Sequence, residues 1–367
     1  MPSVRAIAAQ LKLSAATVSR VLNNHPDVEE STRKRVLDRI NATGYVPKVG
    51  RRVTNVIALA YPDEPVRSDY GAFEPSLLSG VMRGLQEHHY DLKLLSVRRD
   101  KSPDETYTQF FLRKGIQGVL LRCVHDTGEM IKQIAREGFP SVVVAARFDE
   151  PEVNFIHADS YPSSRRAVEH LIGLGHRRIV LAIHNVSDTD HADRRRAYED
   201  AIAAAGLARD PGLIMELRES LSSGEQVLDA ILAMPDRPTA VFATNPMTAL
   251  GIMRRAQERG IDIPAELSVI GVDDSDVRMH VWPRLTAVTQ DAATIGYEAA
   301  AWLTRLLAQE ERSRTCRRTI PTTFEVNGTT APPPTDGTAA AASTVRSGAA
   351  RKAPGQGRQP HGTPRKR

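Results

Sequence analysis

Cysteine is scarce: Cys123 and Cys316 are the two in 367 residues, and they lie far apart. That spacing offers no disulfide framework and suits a reducing cytoplasm. Long apolar runs are missing as well. No stretch of about 18 apolar residues occurs, and no apolar signal-like segment precedes the first helix pattern, so neither membrane spanning nor export is expected. Nucleotide and nucleophile motifs are equally absent, with no P-loop, no G-x-G-x-x-G after a strand and no G-x-S-x-G. His184 and His191, in "HNVSDTDH", stand i,i+7 without a further ligand motif, a weak pattern for a metal site. No enzyme chemistry, cofactor or metal is expected.

What is present is an ordinary globular composition, 41% hydrophobic and 25% charged, with length for two or three domains. The charge is segregated. Residues 1–53 hold ten Lys/Arg against four Asp/Glu, residues 331–367 hold seven against one, and the stretch between them holds 32 against 39. Two basic ends thus flank an acidic body. Such a distribution fits a protein that touches phosphates with one module and keeps the other away from them.

The basic N-terminal module has the pattern of three short helices. "PSVRAIAAQLKL" places Val4, Ile7, Ala8 and Leu11 at i, i+3, i+4 and i+7 behind a Ser3 cap. Only Lys12 and Leu13 separate it from Ser14, which caps a second helix by accepting from the NH of Ala16 or Thr17, a helix-turn-helix spacing. In that second helix Val18, Val21 and Leu22 form an apolar stripe, while Ala15, Ala16, Ser19, Arg20 and Asn23 gather on another face. This face is small at its leading end and carries one long donor, Arg20, able to reach guanine O6 and N7, as a helix entering a major groove requires. With Ser14 and Thr17 these residues form the expected DNA-contacting set. A third helix, capped near Ser31, turns Val36, Leu37 and Ile40 inward and stops at Gly44.

The stretch "SAATVSRVLNNHPDVEESTRKRVLDRINATGYVP" resembles the headpiece of the lactose/galactose repressor family of bacterial transcription regulators, and the resemblance continues to about residue 330. It implies an all-α helix-turn-helix headpiece (residues 1–47) followed by an α/β core (55–330) of the type I periplasmic-binding-protein kind, two lobes of doubly wound parallel sheet. Two departures stand near the headpiece. Where the family usually has glycine between the first two helices, this chain has Lys12, which costs on the order of 1 kcal/mol if the position needs positive φ. The basic linker, residues 48–54, is shorter than the family's, has Gly50 in its middle and lacks the leucine that wedges into the minor groove. A full hinge helix is therefore not expected. Arg51 and Arg52 either follow phosphates or a narrow minor groove, or act as a flexible basic tether.

The core alternates buried strands with helices: "NVIALA", "LKLLSV", "GVLLRCV", "SVVVAA" and "FIHAD", then "RIVLAI", "AVFATN", "LSVIGVD" and "TAVTQ". Crossings near residues 160, 290 and 320 give lobe 1 as about 55–160 and 291–319, and lobe 2 as about 161–290 and 320–330, with ligand expected at strand carboxyl ends between them. The tail, 331–367, is rich in Pro, Ala, Gly and Thr and is expected to be disordered, either merely solvated or a basic arm on DNA.

Matching motifs carry an effector site onto Arg194 in "RRRAY", Asn245 in "FATNP" and Asp273 in "VIGVDD", with Phe73 as a stacking wall. The residues alone leave alternatives open: Arg194 as surface charge, Asp273 as a turn cap, Phe73 as core. Around this site the chain also departs from the family, with Asn245-Pro246 for Asn-Asp, Ala146-Arg147 for Asp-Arg, and a longer first loop, "YPDEPVRSDYGAFEP". The expected protein is a cytoplasmic, homodimeric regulator of the repressor kind, bound to a near-palindromic operator and controlled by a small molecule such as a sugar. The alternative is a solute-binding protein of a transport system, which shares the two-lobed fold but has no use for the headpiece.

Overall fold

The computed structural model describes residues 4–22, 28–43, 55–62, 73–123, 127–185, 188–311 and 313–334. Three helices open the chain: α1 (Val4–Leu11), α2 (Ala15–Leu22) and α3 (Glu30–Thr43), the last beginning one residue ahead of the Ser31 cap expected. Each has too narrow an apolar stripe to stand alone, so Ile7, Ala8, Val18, Val21, Val36 and Ile40 close one shared core. Ser14 caps α2 by accepting from Thr17 N at 3.0 Å. Lys12 has φ 53°, so a lysine holds the left-handed turn that glycine adopts without strain.

The first lobe runs through β1 (Val56–Tyr61), α4 (Phe73–Gln86), β2 (Asp91–Ser96), α5 (Val97–Asp100), α6 (Tyr107–Arg113), β3 (Gly118–Arg122), α7 (Gly128–Arg136), β4 (Ser141–Val144) and β5 (Phe155–Asp159). The second follows with α8 (Ser160–Gly173), β6 (Ile179–His184), α9 (Thr189–Ala204), β7 (Ile214–Leu217), α10 (Leu221–Ala233), β8 (Ala240–Ala243), α11 (Pro246–Arg259), β9 (Ser268–Asp273) and β10 (Thr286–Thr289). The chain returns to the first lobe for α12 (Ala292–Leu307) and β11 (Arg317–Pro321), then leaves it for β12 (Thr323–Glu325). The sheets have orders β11-β5-β4-β3-β1-β2 and β12-β10-β9-β8-β6-β7. Every pairing is parallel except that of β12 with β10.

Helices cover both faces of each sheet, which is why β3, β4, β8 and β9 are buried at every position. One helix pair in each lobe packs backbone to backbone. A Cβ on Gly80 of α4 would lie 1.8 Å from Ala293 O of α12, and one on Gly251 of α11 would lie 2.0 Å from Leu221 O of α10. Only glycine permits such an approach.

The core extends past residue 330, which corrects the expected start of the disordered tail. Ala331 O accepts from His176 Nε2 at 2.9 Å and from Ser268 Oγ at 3.0 Å, and Pro333 packs beside Gly175. Residues 335–367 lie outside the described residues, as does the linker 48–54. Among the described residues no helix is long and apolar enough to cross a membrane.

Candidate functional site

Parallel sheets leave their strand carboxyl ends free for loops, and in both lobes these ends converge on one interlobe cleft. The free space among its lining residues is about 520 Å3, a figure that includes space open to solvent. The first lobe contributes Phe73 and Glu74 from the start of α4, Arg122 from the end of β3, and Ala145 after β4. The second contributes His184 from the end of β6, the start of α9, Glu219 after β7, Thr244 and Asn245 after β8, Asp274 after β9 and Gln290 after β10.

A buried pair forms the first-lobe wall. Arg122 Nε donates to Glu74 Oε1 at 2.8 Å and its NH1 to Val144 O at 3.1 Å, while Tyr61 OH donates to Glu74 Oε2 at 2.8 Å. Burial works against the Arg122 charge, but Glu74 and Tyr61 outweigh it and raise the guanidinium pKa. The same guanidinium lies 4.9 Å from the Phe73 ring centroid, so this half-buried phenylalanine stacks on a cation at the cleft rim.

On the opposite wall Arg194 is buried. Its NH1 donates to Thr244 O at 3.1 Å and NH2 to Gln290 Oε1 at 3.0 Å, while Nε has no hydrogen-bond partner. Gln290 Nε2 donates onward to Asp274 Oδ1 at 3.1 Å. Burial pushes the Asp274 carboxyl up to about 7, with Glu219 and Asp273 adding to it and Arg194 and His191 opposing. Asp190 is also raised, by burial first and by the neighbouring Asp188, and its Oδ1 makes no hydrogen bond. Asp188 moves the other way: although burial works to raise it, the His191 ring and backbone NH hold it at about 2.

Contacts also bridge the lobes. Arg147, between β4 and β5, pairs with Asp193 of α9 through NH2 at 3.0 Å and donates its backbone NH to Thr189 Oγ1 at 3.1 Å. His157 Nδ1 of β5 stands 3.8 Å from Asp190 Oδ1. The closure of the cleft is thus written in pairs that break if the lobes part.

Three of the four residues expected around an effector, Phe73, Arg194 and Asn245, line this cleft. Asn245 spends its Oδ1 on capping α11, accepting from Met247 N at 2.7 Å and Thr248 N at 3.2 Å, which leaves its amide NH2 for other partners. Asp273 does not line it. Its carboxylate accepts from the backbone NH of Ser275, Val277 and Arg278 and from Arg278 NH1, so it is the cap of the turn after β9. The cleft-facing carboxyl is its neighbour Asp274, and the effector assignment of Asp273 is corrected accordingly. Sequence reading also passed over Arg122, Asp188, Glu219 and Gln290. The signal they share is position, each at or just past the end of a strand or at the start of the helix that follows.

In the headpiece Ser14, Ala15, Ala16, Ser19 and Arg20 are exposed on α2, and Thr17 is half-buried with its hydroxyl 2.8 Å from Ser14 Oγ. They form one solvent-facing surface above the buried Val18 and Val21. Asn23, Arg51 and Arg52 lie outside the described residues.

Residues 3–48 match the family model for bacterial regulatory proteins, lacI family, and residues 168–330 match the periplasmic binding protein-like domain. Over 310 residues the chain is 27% identical to catabolite control protein A of Priestia megaterium, spanning 83% of this chain and 92% of that protein. It is 29% identical over 303 residues to the HTH-type transcriptional regulator DegA of Bacillus subtilis, spanning 80% and 87%. Among solved structures, a complex of the transcriptional regulator CelR with cellobiose superimposes with a TM-score of 0.65 at 27% identity, covering 90% of this chain and all of that one.

Proposed function

Because the chain belongs to the lacI family of bacterial regulatory proteins, with the two-lobed periplasmic-binding-protein-like core, we propose that it represses transcription by binding operator DNA through α2 and that a small molecule in the interlobe cleft sets its operator affinity. The observation that carries this reading is the pairing, in one chain, of an exposed small-residue helix face with a polar cleft at strand carboxyl ends. Ala15 and Ala16 let the backbone approach base edges, Arg20 supplies the long donor, and Ser14, Thr17 and Ser19 supply short ones. A solute-binding protein has no use for that helix, and the relatives are regulators, so we read the chain as a regulator and not an enzyme, working in the cytoplasm.

One headpiece covers one half-site, so the expected unit is a homodimer on a near-palindromic operator. For the ligand we take the polyhydroxylated class, as in the CelR complex with cellobiose. Arg194 Nε supports this choice: a buried donor without a hydrogen-bond partner stands in the cleft, where a hydroxyl group satisfies it. The Arg147–Asp193 pair then makes closure around the ligand a two-state change that reaches the headpiece through the first lobe.

The test is selection of DNA from a randomised duplex library by the full-length protein, followed by gel shifts with and without a panel of sugars and sugar acids. A palindromic consensus whose affinity changes with one of them is expected. Binding without sequence preference would overturn the reading.

A further inference from the structure

We propose that His184, His191 and Glu219 form a site for a divalent transition-metal ion of the zinc class inside the cleft. The proposal rests on the reading of that cleft as the effector site, and it names a ligand chemistry that the sequence alone does not support. The two histidines are i,i+7 in sequence, and folding adds a third ligand from beyond β7. His184 Nδ1 lies 3.1 Å from Glu219 Oε1, His191 Nε2 lies 4.0 Å from the same oxygen, and all three ligand atoms fall within 4.8 Å of one another. Tetrahedral zinc, with bonds of about 2.0–2.2 Å, sets its ligand atoms roughly 3.4 Å apart. The observed spacings bracket that value, so small side-chain rotations complete the shell.

The surroundings are those of a metal site and not of a chance cluster. His191 Nδ1 lies 2.9 Å from Asp188 Oδ1, and Asp188 in turn accepts from His191 N at 2.8 Å. With that carboxylate accepting from Nδ1–H, the lone pair of His191 sits on Nε2, where it accepts from Arg194 NH1 at 3.4 Å, a long contact that an ion replaces; the carboxylate–histidine arrangement is the one that orients a ligating imidazole. The contact between His184 Nδ1 and Glu219 exchanges for the ion, the neutral ring then carrying its single proton on Nε2; a proton leaves to solvent only where the ring starts as imidazolium. Arg194 is the cation nearby, with NH1 3.4 Å from His191 Nε2, but it is anchored by Thr244 and Gln290, and Asp188 on the same wall is held in its charged form. Three protein ligands leave a fourth position open to the cleft. Two imidazoles and one carboxylate select zinc-like ions over magnesium and calcium.

The test uses full-length protein freed of metal, with Zn2+ titrated in competition with a chromophoric chelator and Co2+ added to a parallel sample. One tight ion per chain is expected, with the visible absorption of tetrahedral Co2+. His191→Ala and Glu219→Gln should each weaken Zn2+ at least 100-fold, and Asp188→Asn about 10–100-fold, in variants whose circular dichroism matches the parent. Glu219→Gln preserves side-chain shape and keeps the test usable if His191→Ala fails to fold. Zn2+ affinity within threefold of the parent in these variants overturns the site. Gel shifts on the same preparations separate the two readings: operator selectivity without a tight ion overturns this inference alone, and a tight ion without operator selectivity overturns the regulator reading while the site stands.

Discussion

Changing Asp273 and Asp274 to alanine one at a time separates a residue that holds the fold from its neighbour that faces the cleft. Asp273 accepts from Ser275 N and Val277 N at 3.2 Å, and from Arg278 N and Arg278 NH1 at 3.0 Å. Hydrogen bonds to a charged group are worth about 1.5–3 kcal/mol each, but the freed donors lie on a solvent-facing turn and rehydrate, and Arg278 keeps Asp276 and Glu325. Asp273→Ala should therefore cost about 3 kcal/mol, near the lower end for breaking a buried pair. Asp274 accepts from Gln290 Nε2, and burial disfavours its charge. Its loss should cost about 1 kcal/mol or less.

The two also differ in pH dependence. With its carboxyl raised from 3.8 to about 7, Asp274 holds a proton in the folded state that the unfolded chain has released. Its contribution to stability is therefore greatest below about pH 4 and falls as pH rises to about 7, and Asp274→Asn removes that slope. Urea unfolding across this range, with operator gel shifts with and without effector, reads both effects. Asp273→Ala should lose stability at every pH, whereas Asp274→Ala should stay folded, bind operator and ignore the effector. A fully stable Asp273→Ala that ignores the effector, beside an Asp274→Ala that responds normally, would refute this reasoning.

Arg20→Ala should weaken operator binding by about 1–3 kcal/mol and relax one base position; an equal loss on random duplex would make Arg20 a phosphate contact. Lys12→Gly should relieve about 1 kcal/mol of left-handed strain, less the entropy of a freer unfolded chain, and so stabilise the headpiece by about 0.5 kcal/mol. Hydrogen exchange of α1 and α2 amides measures it, and faster exchange would show that the lysine side chain supports the turn. Gly251→Ala should cost about 3 kcal/mol in urea unfolding, since its Cβ would sit 2.0 Å from Leu221 O and force α10 from α11. Unchanged stability would mean that this crossing has slack.

The headpiece and the alternating core were legible because each element announces itself locally: α2 by the spacing of Val18 and Val21, the central strands by unbroken apolar runs. The strands β7, β11 and β12 were not. They lie at or near sheet edges and carry Glu216, Arg317, Arg318 and Glu325, so no apolar run marks them. The cleft was legible only in part, for the same reason at finer scale. Which of Asp273 and Asp274 faces the ligand is decided by a single step of backbone where β9 turns, a step that motif matching does not resolve. His184, His191 and Glu219 meet only because β6 and β7 are neighbours in the sheet.

The chain enters the core at the amino end of β1 and reaches the cleft at the other, where Tyr61 holds Glu74. Six residues of strand, about 20 Å, stand between them. No side chain therefore has to satisfy both the operator and the effector, and the two specificities drift independently under selection. A lineage that exchanges residues 1–47 for another headpiece changes which genes are addressed and keeps its chemical sense, and one that rebuilds the loops after β6–β10 changes what is sensed and keeps its address.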